Sequence, residues 1–180
     1  MGQFRRGNGA AWLDLLSTLS GRYLTEQVDD IDSPETLRAW LREFGSDPTT
    51  PVTADDVALV TETREVLHRL AVAKLRGARP AAADVRHLNA TLDLDAGVQV
   101  AAGAAGLRPR RPASVADAVA RLARQAVVDL SGEGAGTLRA CGDDTCSSIF
   151  IDLSGRRRWC TDLSCGNRTR VRAHRRRAGS

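Results

Sequence analysis

All four cysteines of this 180-residue chain lie in one stretch near its C-terminus, and their spacing suits metal chemistry. Cys141, Cys146, Cys160 and Cys165 form two pairs, with four residues inside each pair and thirteen between the pairs. Two such pairs joined by a hairpin can bring four thiolates to the corners of a tetrahedron around Zn²⁺. The spacing therefore predicts one Zn²⁺ bound by all four residues.

Structural disulfides or free thiols are the alternatives to zinc, and disulfides need an oxidising compartment. The N-terminal segment has a short apolar part interrupted by an acid, unlike a secretory signal, and no apolar run approaches the ~18 residues of a membrane helix. We therefore expect a cytoplasmic protein with no membrane partner, in which the cysteines bind metal.

Basic residues are concentrated at the C-terminal end. The chain has a net charge of +4, yet residues 137–180 carry ten arginines against four acids, and the residues before them are slightly acidic. Like charges four residues apart destabilise an isolated helix, so a helix with this composition needs a polyanion. We predict that its arginines bind nucleic acid, chiefly through phosphates. Four of them would share one face and two another: Arg168, Arg172, Arg175 and Arg176, and then Arg170 and Arg177.

The segment between the cysteine pairs predicts a hairpin. "SIFID" and "RRRWC" would be its strands, turning at "LSG", with Phe150 and Trp159 as its apolar contacts. The chain after the third cysteine would form a helix whose first turn supplies the last ligand, with Leu163 and Val171 packed on the hairpin. Knuckle, hairpin and ligand-bearing helix form a treble-clef-like layout. The three arginines at the start of the second strand are placed to straddle phosphates: Arg156, Arg157 and Arg158.

The rest of the chain predicts a mainly α fold. "SPETLRAWLREFG" has Ser33 as N-cap, apolar residues at helical spacing and Gly45 as its stop. Residues 95–112 suit a small β-hairpin. The predicted organisation is a helical domain over 1–130, a glycine-rich linker over 131–136 and a zinc finger with a basic helix over 137–180. Helical patterns also cover residues 10–24, 53–77, 81–92 and 113–132.

The cysteine segment resembles the CGNR zinc-finger family, named for the tetrapeptide that stands here as Cys165 to Arg168, at the end of "RRWCTDLSCGNR". The resemblance implies the domain arrangement of that family, in which this finger follows an N-terminal helical ABATE domain. The ABATE domain is regarded as a stress-induced transcription regulator. "AAWLDLLSTLSGR" is similar to the opening motif of that domain, with Ser17 where the motif usually has Asn. The resemblance implies a structural role for Asn167 beside the metal, with a hydrogen bond to the knuckle backbone; a base contact is the alternative.

The function that these features favour is a DNA-binding transcriptional regulator, with an N-terminal domain that senses a small-molecule effector or dimerises. One finger offers few base contacts, so we expect a homodimer or strong reliance on phosphates. RNA binding, or docking on an acidic protein partner, are the alternatives. An enzyme is not expected, since four cysteines close a zinc shell to water. The three histidines, His68, His87 and His174, are scattered and are expected on surfaces or helix faces.

Overall fold

The computed structural model describes residues 4–104, 106–132 and 136–178. Helices dominate this part of the chain, as predicted. They are α1 (Ala11–Leu16), α2 (Pro34–Glu43), α3 (Ala54–Leu75), α4 (Ala82–Leu92), α5 (Val115–Ser131) and α6 (Asn167–Ala178). A π turn over Asp162–Gly166 precedes α6.

The strands of the described residues form three antiparallel pairs. The predicted hairpin at residues 95–112 is confirmed by the second of them. The pairs are β1 (Leu19–Ser20) with β2 (Val28–Asp29), β3 (Val100–Gly103) with β4 (Gly106–Pro109), and β5 (Leu138–Ala140) with β6 (Ile149–Ile151).

The helix ends follow from local hydrogen bonding. The Ser33 hydroxyl accepts a hydrogen bond from the Thr36 amide, and the Thr36 hydroxyl accepts one from the Ser33 amide, which closes a capping box at the start of α2. Gly45 ends that helix with a φ of 71°, a left-handed conformation that glycine adopts without steric cost. Ser114 caps α5 by accepting from the Asp117 amide. The cap at Ser33 and the stop at Gly45 are those that the sequence predicts.

One apolar core holds α1 to α5 together, with α3 packed against α5, α4 and α1. Fully burying an aliphatic or aromatic side chain stabilises a fold by roughly 1.5 to 3 kcal/mol. This core therefore accounts for the helical part without any metal. Its largest fully buried members include Trp12, Trp40, Leu13, Leu15, Leu37, Leu41 and Leu67.

The finger is joined to this core through its hairpin. Leu138 of β5 and Ile149 of β6 are 3% and 2% exposed and belong to the same apolar cluster as the helices. The Ile151 amide donates to the Asn8 carbonyl at 2.8 Å, which ties β6 to the N-terminal segment. Residues 133–135 of the predicted linker lie outside the described residues. The domain boundary at residues 131–136 remains a proposal.

The hairpin of the finger differs from the predicted one. β6 pairs with β5, in the register Leu138 to Ile151 and Ala140 to Ile149, and residues 156–160 form no strand. The reason is Asp152, whose carboxylate accepts from the Ser154 amide at 3.0 Å and from the Arg157 amide at 2.9 Å. This turn bends the chain away from β6. The first cysteine pair, not "LSG", therefore lies in the hairpin loop.

Candidate metal centre and nucleic-acid interface

The four thiols converge on one point. Their Sγ atoms all lie within 4.8 Å of one another. The Cys160 Sγ lies 3.8 Å from the Cys146 Sγ and 3.5 Å from the Cys165 Sγ. A tetrahedral site with Zn–S bonds of about 2.3 Å places its sulfurs about 3.8 Å apart. The cluster is therefore compatible with Zn²⁺ bound by four thiolates.

Each pair of cysteines is held by its own turn. Cys141 follows β5 and donates its amide to the Ser148 carbonyl at 2.9 Å, while the Cys146 amide donates to the Asp143 carbonyl at 2.8 Å. Cys165 lies in the π turn before α6. The Cys160 amide points at the Cys141 Sγ at 3.4 Å, so the two pairs are in direct contact.

Two glycines permit the close approach of the turns. A Cβ on Gly166 would lie 2.5 Å from an Asp162 carboxylate oxygen and 3.3 Å from Cε3 of Trp159. A Cβ on Gly142 would lie 2.9 Å from the Arg158 carbonyl oxygen, which accepts the Gly142 amide. A side chain at Gly166 would therefore displace the Asp162 carboxylate and press against the Trp159 ring.

The thiols share a cramped, partly buried site. The pKa of Cys160 is raised by its hydrogen bonds to Cys141 and then to Cys146, with burial and like charge adding to the effect. The pKa of Cys141 is raised to about 11, mainly by its hydrogen bond to Cys146. Four thiolates this close need a cation between them. Arg168 supplies a further positive group, with Nη2 at 3.2 Å from the Cys165 Sγ.

Asp143 connects the first cysteine pair to α6. Its carboxylate is fully buried and accepts from Arg168 Nε at 2.6 Å, Arg172 Nη1 at 2.8 Å and the Thr145 hydroxyl at 2.9 Å. Burial acts to raise its pKa, but these hydrogen bonds, that from Arg168 first, outweigh it and lower the pKa to about 2. Sequence reasoning missed this residue. The available signal was an acid between the first two cysteines, facing arginines one and two turns into the helix.

The predicted arginine stripe is therefore divided. Arg168 and Arg172 turn towards Asp143, although their side chains remain 44% and 40% exposed. Arg175 and Arg177 are exposed and have no side-chain partner among the residues that the structure describes. The structure thus places Arg168 and Arg172 against Asp143 in the hairpin loop, whereas the arginines of the last turn of α6 are exposed.

The remaining predicted arginines, Arg170 and Arg156 to Arg158, differ in their contacts within the finger. Arg170 pairs with Asp162 at 3.0 Å. Arg157 stacks on the Phe150 ring at 4.4 Å and donates to the Gly7 carbonyl at 2.9 Å, so it braces the loop before Cys160. Arg158 lies over the Trp159 ring at 5.2 Å. Arg156 is exposed, and its side chain has no partner within the described ranges.

Asn167 opens α6 and contacts the turn that carries the last cysteine. Its Nδ2 donates to the Leu163 carbonyl at 2.9 Å, and its Oδ1 accepts from Arg170 Nη2 at 2.9 Å. A role beside the metal remains a prediction. The expected packing of Leu163 and Val171 on the hairpin is wrong, since their exposed fractions are 85% and 48%. β6 pairs with β5 instead of with residues 156–160, and both side chains remain uncovered.

A second polar cluster lies inside the helical part. Arg64 of α3 is 2% exposed and donates to both carboxylate oxygens of Asp29 at 2.7 and 2.6 Å, and to the Thr18 hydroxyl at 2.9 Å. His68, one turn further on, is buried rather than on a surface. Its pKa is lowered to about 4 by burial and then by the Arg22 charge. The helix pattern alone could not distinguish these buried polar positions from exposed ones.

Two family models match this chain. Residues 9–134 match ABATE, described as "Putative stress-induced transcription regulator", and residues 137–178 match the CGNR zinc finger. No curated protein matches the chain. Within the described residues, no helix is long and apolar enough to cross a membrane.

Proposed function

This chain belongs to the ABATE family and carries a CGNR zinc finger, and on that premise we propose that it is a DNA-binding transcriptional regulator. The observation that carries the proposal is the set of exposed arginines beside the thiol cluster. Arg156 and Arg158 precede Cys160, and Arg175 and Arg177 end α6. None of these four side chains forms an ion pair among the described residues, so their charges are available to phosphates, whose contacts dominate affinity for nucleic acid.

Zinc has a structural role in this proposal. Cys141, Cys146, Cys160 and Cys165 would hold it, and the ion would cross-link the hairpin loop to the π turn and neutralise thiolate charge. A shell of four thiolates keeps no position for water, so we propose no catalytic role for it. In this view the finger folds on metal binding, as small zinc domains do.

Double-stranded DNA is the preferred partner in this proposal. Sequence-tolerant binding of single strands uses exposed aromatic rings on which bases stack. In the finger, Phe150 is fully buried, and Trp159 is half-buried with Arg158 and Arg170 over its ring. The charges are therefore better suited to the phosphates of a duplex than to splayed bases. An acidic protein partner would use the same charges, and the salt titration below separates it from DNA.

The N-terminal domain is proposed to sense an apolar effector, with dimerisation as the second role. A cavity of about 540 Å³ lies between α3, α4 and α5, a size typical of small-molecule pockets. Its lining is aliphatic, and the one charged residue among its lining residues is Lys74. Such a cavity suits a hydrophobic molecule. The aliphatic side chains that line it are Leu70, Val85, Leu88, Val127 and Leu130. We place the whole protein in the cytoplasm, where DNA and reduced thiols are both found.

A salt titration of duplex binding tests the proposal. Fluorescence anisotropy with a labelled duplex should give a plot of log affinity against log salt with a slope of roughly −0.9 per phosphate contact. The double change Arg175→Gln with Arg177→Gln should lower the affinity and flatten that slope by the equivalent of two phosphate contacts, about 1.8 units. The double change Arg79→Gln with Arg86→Gln removes the same charge from exposed positions of the helical part, and it should change neither the affinity nor the slope.

The outcome decides between partners. A wild-type slope near zero with duplex DNA would remove DNA from the proposal and favour the acidic protein partner. Selection of bound fragments from genomic DNA with the purified protein would then establish whether binding is sequence-specific. Parallel titration with an RNA hairpin of the same length tests the RNA alternative, which predicts the steeper slope and tighter binding for RNA.

A further inference from the structure

A concave basic pocket lies where the N-terminal segment meets the finger. Its volume is about 460 Å³, and it is lined by residues of both parts, including Gly7, Trp159 and Thr161. Four of its lining residues are arginines: Arg6, Arg156, Arg157 and Arg158. The acid in its lining is Asp162, which already pairs with Arg170 at 3.0 Å. The pocket therefore gathers positive charge, of which Glu43 compensates that of Arg6.

The three arginines that the finger contributes to the pocket have no carboxylate partner for their side chains among the described residues. Arg157 donates to the carbonyl oxygens of Gly7, Trp159 and Cys160, which orient its guanidinium but leave its charge uncompensated. Arg156 and Arg158 form no ion pair among the described residues. A concavity with this arrangement favours an anion with several acceptor oxygens, because guanidinium groups bind phosphate through paired hydrogen bonds.

Arg6 forms a wall of the pocket that belongs to the N-terminal part. Its guanidinium lies 4.5 Å from the centre of the Phe44 ring, and its Nε donates to a Glu43 carboxylate oxygen at 3.0 Å. The side chain is thereby anchored to the end of α2. An arginine that is already ordered loses less conformational entropy when it binds a ligand.

The N-terminal segment is fixed against the finger by a close backbone contact. The Ile151 amide donates to the Asn8 carbonyl at 2.8 Å. Gly9 has a φ of 98°, and a Cβ at this position would lie 2.8 Å from the Ile151 Cβ. A larger residue at Gly9 would therefore push the segment, and Arg6 with it, away from β6.

We infer that this pocket binds one phosphate group of a nucleic-acid backbone, and that the N-terminal segment completes it. The inference rests on the proposed DNA binding and adds that affinity depends on the docking of the helical part onto the finger. A movement of the N-terminal segment would alter one phosphate contact without any change in the finger. This gives the two parts of the chain a direct means of coupling.

Duplex binding by single variants of the full chain tests the pocket. Arg158→Gln should lower affinity and flatten the salt slope by about 0.9 unit. Arg6→Gln should also lower affinity but flatten the slope by less, because Arg6 already shares its charge with Glu43. Arg86→Gln, which removes an exposed charge from α4, should match wild type. Arg6→Lys retains the charge without the paired donors and should fall between wild type and Arg6→Gln. Thermal unfolding of each variant identifies the temperatures at which all are folded, and binding is compared there.

A second variant displaces Arg6 while every arginine is retained. Gly9→Val should weaken duplex binding as Arg6→Gln does, because the added side chain meets Ile151. Gly136→Ala is the matched control, since a Cβ there meets nothing within 4 Å and its φ is not in the left-handed region. Duplex affinity of Gly9→Val equal to that of Gly136→Ala would overturn the inference that docking of the segment completes the pocket.

The remaining outcomes separate this inference from the proposed function. A steep wild-type slope that Arg6→Gln and Arg86→Gln leave equally unchanged would overturn the pocket and leave DNA binding in place. A wild-type slope near zero would overturn both. Inorganic phosphate, titrated at constant ionic strength, tests a free anion as the occupant. If Arg6→Gln weakened phosphate binding alone and left the duplex unaffected, the nucleic-acid assignment of the pocket would be wrong.

Discussion

The helical part and the finger of this chain are stabilised by different means. The helical part buries a continuous apolar core that includes Trp12, Trp40 and Leu67. In the finger, the separate buried cluster consists of Phe150 and two cysteines, Cys160 and Cys165. A segment this small cannot bury enough apolar surface to fold by itself. We therefore expect bonds to the metal to take the place of an apolar core in the finger, whereas the helical part needs none.

The arginines show the same contrast. Arg64 in the helical part is 2% exposed and fully engaged by Asp29 and Thr18, so its charge is used inside the fold. Arg175 at the end of α6 is exposed and without a side-chain partner in the described parts of the chain. The same residue type is structural where carboxylates surround it and available for binding where they do not.

Removal of one thiol should have the largest effect. Cys146→Ser should abolish binding of one zinc per chain and unfold residues 141–177, because binding energy of the order of 10 kcal/mol is also the folding energy of the finger. The signal of α1 to α5 in circular dichroism should persist, and that of α6 should be lost. Metal analysis of the wild-type protein should give a zinc ratio near one.

A neighbouring serine provides the control for that experiment. Ser147→Ala changes the residue next to Cys146 without removing a thiol, and it should retain both zinc and α6. Loss of all helical signal in Cys146→Ser would show that the two parts fold as one unit, through Leu138 and Ile149 in the shared core. A wild-type mass that shows two disulfides and no zinc would overturn the metal centre.

The buried arginine should give the next largest effect, and in the other part of the molecule. Arg64→Met should lower the free energy of unfolding by about 3 kcal/mol, because it leaves the Asp29 carboxylate without its partner. Arg86→Met is the control. Arg86 of α4 is exposed and forms no ion pair among the described residues, so the free energy of unfolding should stay within about 0.5 kcal/mol of wild type.

The order of effects within the buried pair sharpens this prediction. In the intact pair the Arg64 side chain is 3% exposed and the Asp29 side chain is 28% exposed. Asp29→Ala leaves the more buried partner, Arg64, unpaired, and Arg64→Met leaves the more exposed partner, Asp29, unpaired. The unpaired buried cation should therefore cost more than the unpaired, partly hydrated carboxylate. Urea unfolding of both variants measures the difference. Equal losses for Arg64→Met and Arg86→Met would show that the buried pair contributes nothing to stability.

The pH dependence of the helical part should be dominated by His68. Its pKa is lowered from 6.5 to about 4 in the folded state, mainly by burial and secondly by the Arg22 charge. The unfolded chain therefore binds more protons between these values, and stability falls as the pH falls from about 6.5 to about 4. The loss between pH 7 and pH 5 should be about 2 kcal/mol.

Substitution of the histidine tests this origin. His68→Gln should remove most of the difference in unfolding free energy between pH 7 and pH 5, measured by urea unfolding at each pH. His174→Gln changes an exposed histidine of α6 and should leave the difference as in wild type. A pH dependence unchanged in His68→Gln would assign it to the carboxylates of the same part, such as Asp29.

The parts of the structure that depend on local signals were predictable from the sequence. The cap at Ser33, the stop at Gly45 and the clustering of the four cysteines were predictable, because each signal is a short pattern in the sequence. Partners distant in sequence were not predictable. Asp143 meets Arg168 across 25 residues, and β6 pairs with β5 rather than with the arginine segment, since the turn at Asp152 redirects the chain. His68 is buried by neighbours that its own helix pattern does not reveal.

The smallest expected effect distinguishes two arginines of one helix. Arg175 has no side-chain partner among the described residues, so a phosphate contact breaks no internal bond, and Arg175→Gln should flatten the salt slope of duplex binding by about 0.9 unit. Arg172 lies three residues earlier and donates to Asp143 at 2.8 Å and to the Thr145 hydroxyl at 2.9 Å. Arg172→Gln should therefore flatten the slope by clearly less and instead lower the midpoint of thermal unfolding of the finger. Equal flattening by both variants would mean that Arg172 leaves Asp143 when DNA binds. If Arg172→Gln weakened binding to one preferred sequence alone, by about 1 to 3 kcal/mol of binding free energy, that arginine would contact a base edge. Either result would move Arg172 from the structural group of arginines to the binding group, which is the division that the comparison of the two parts draws.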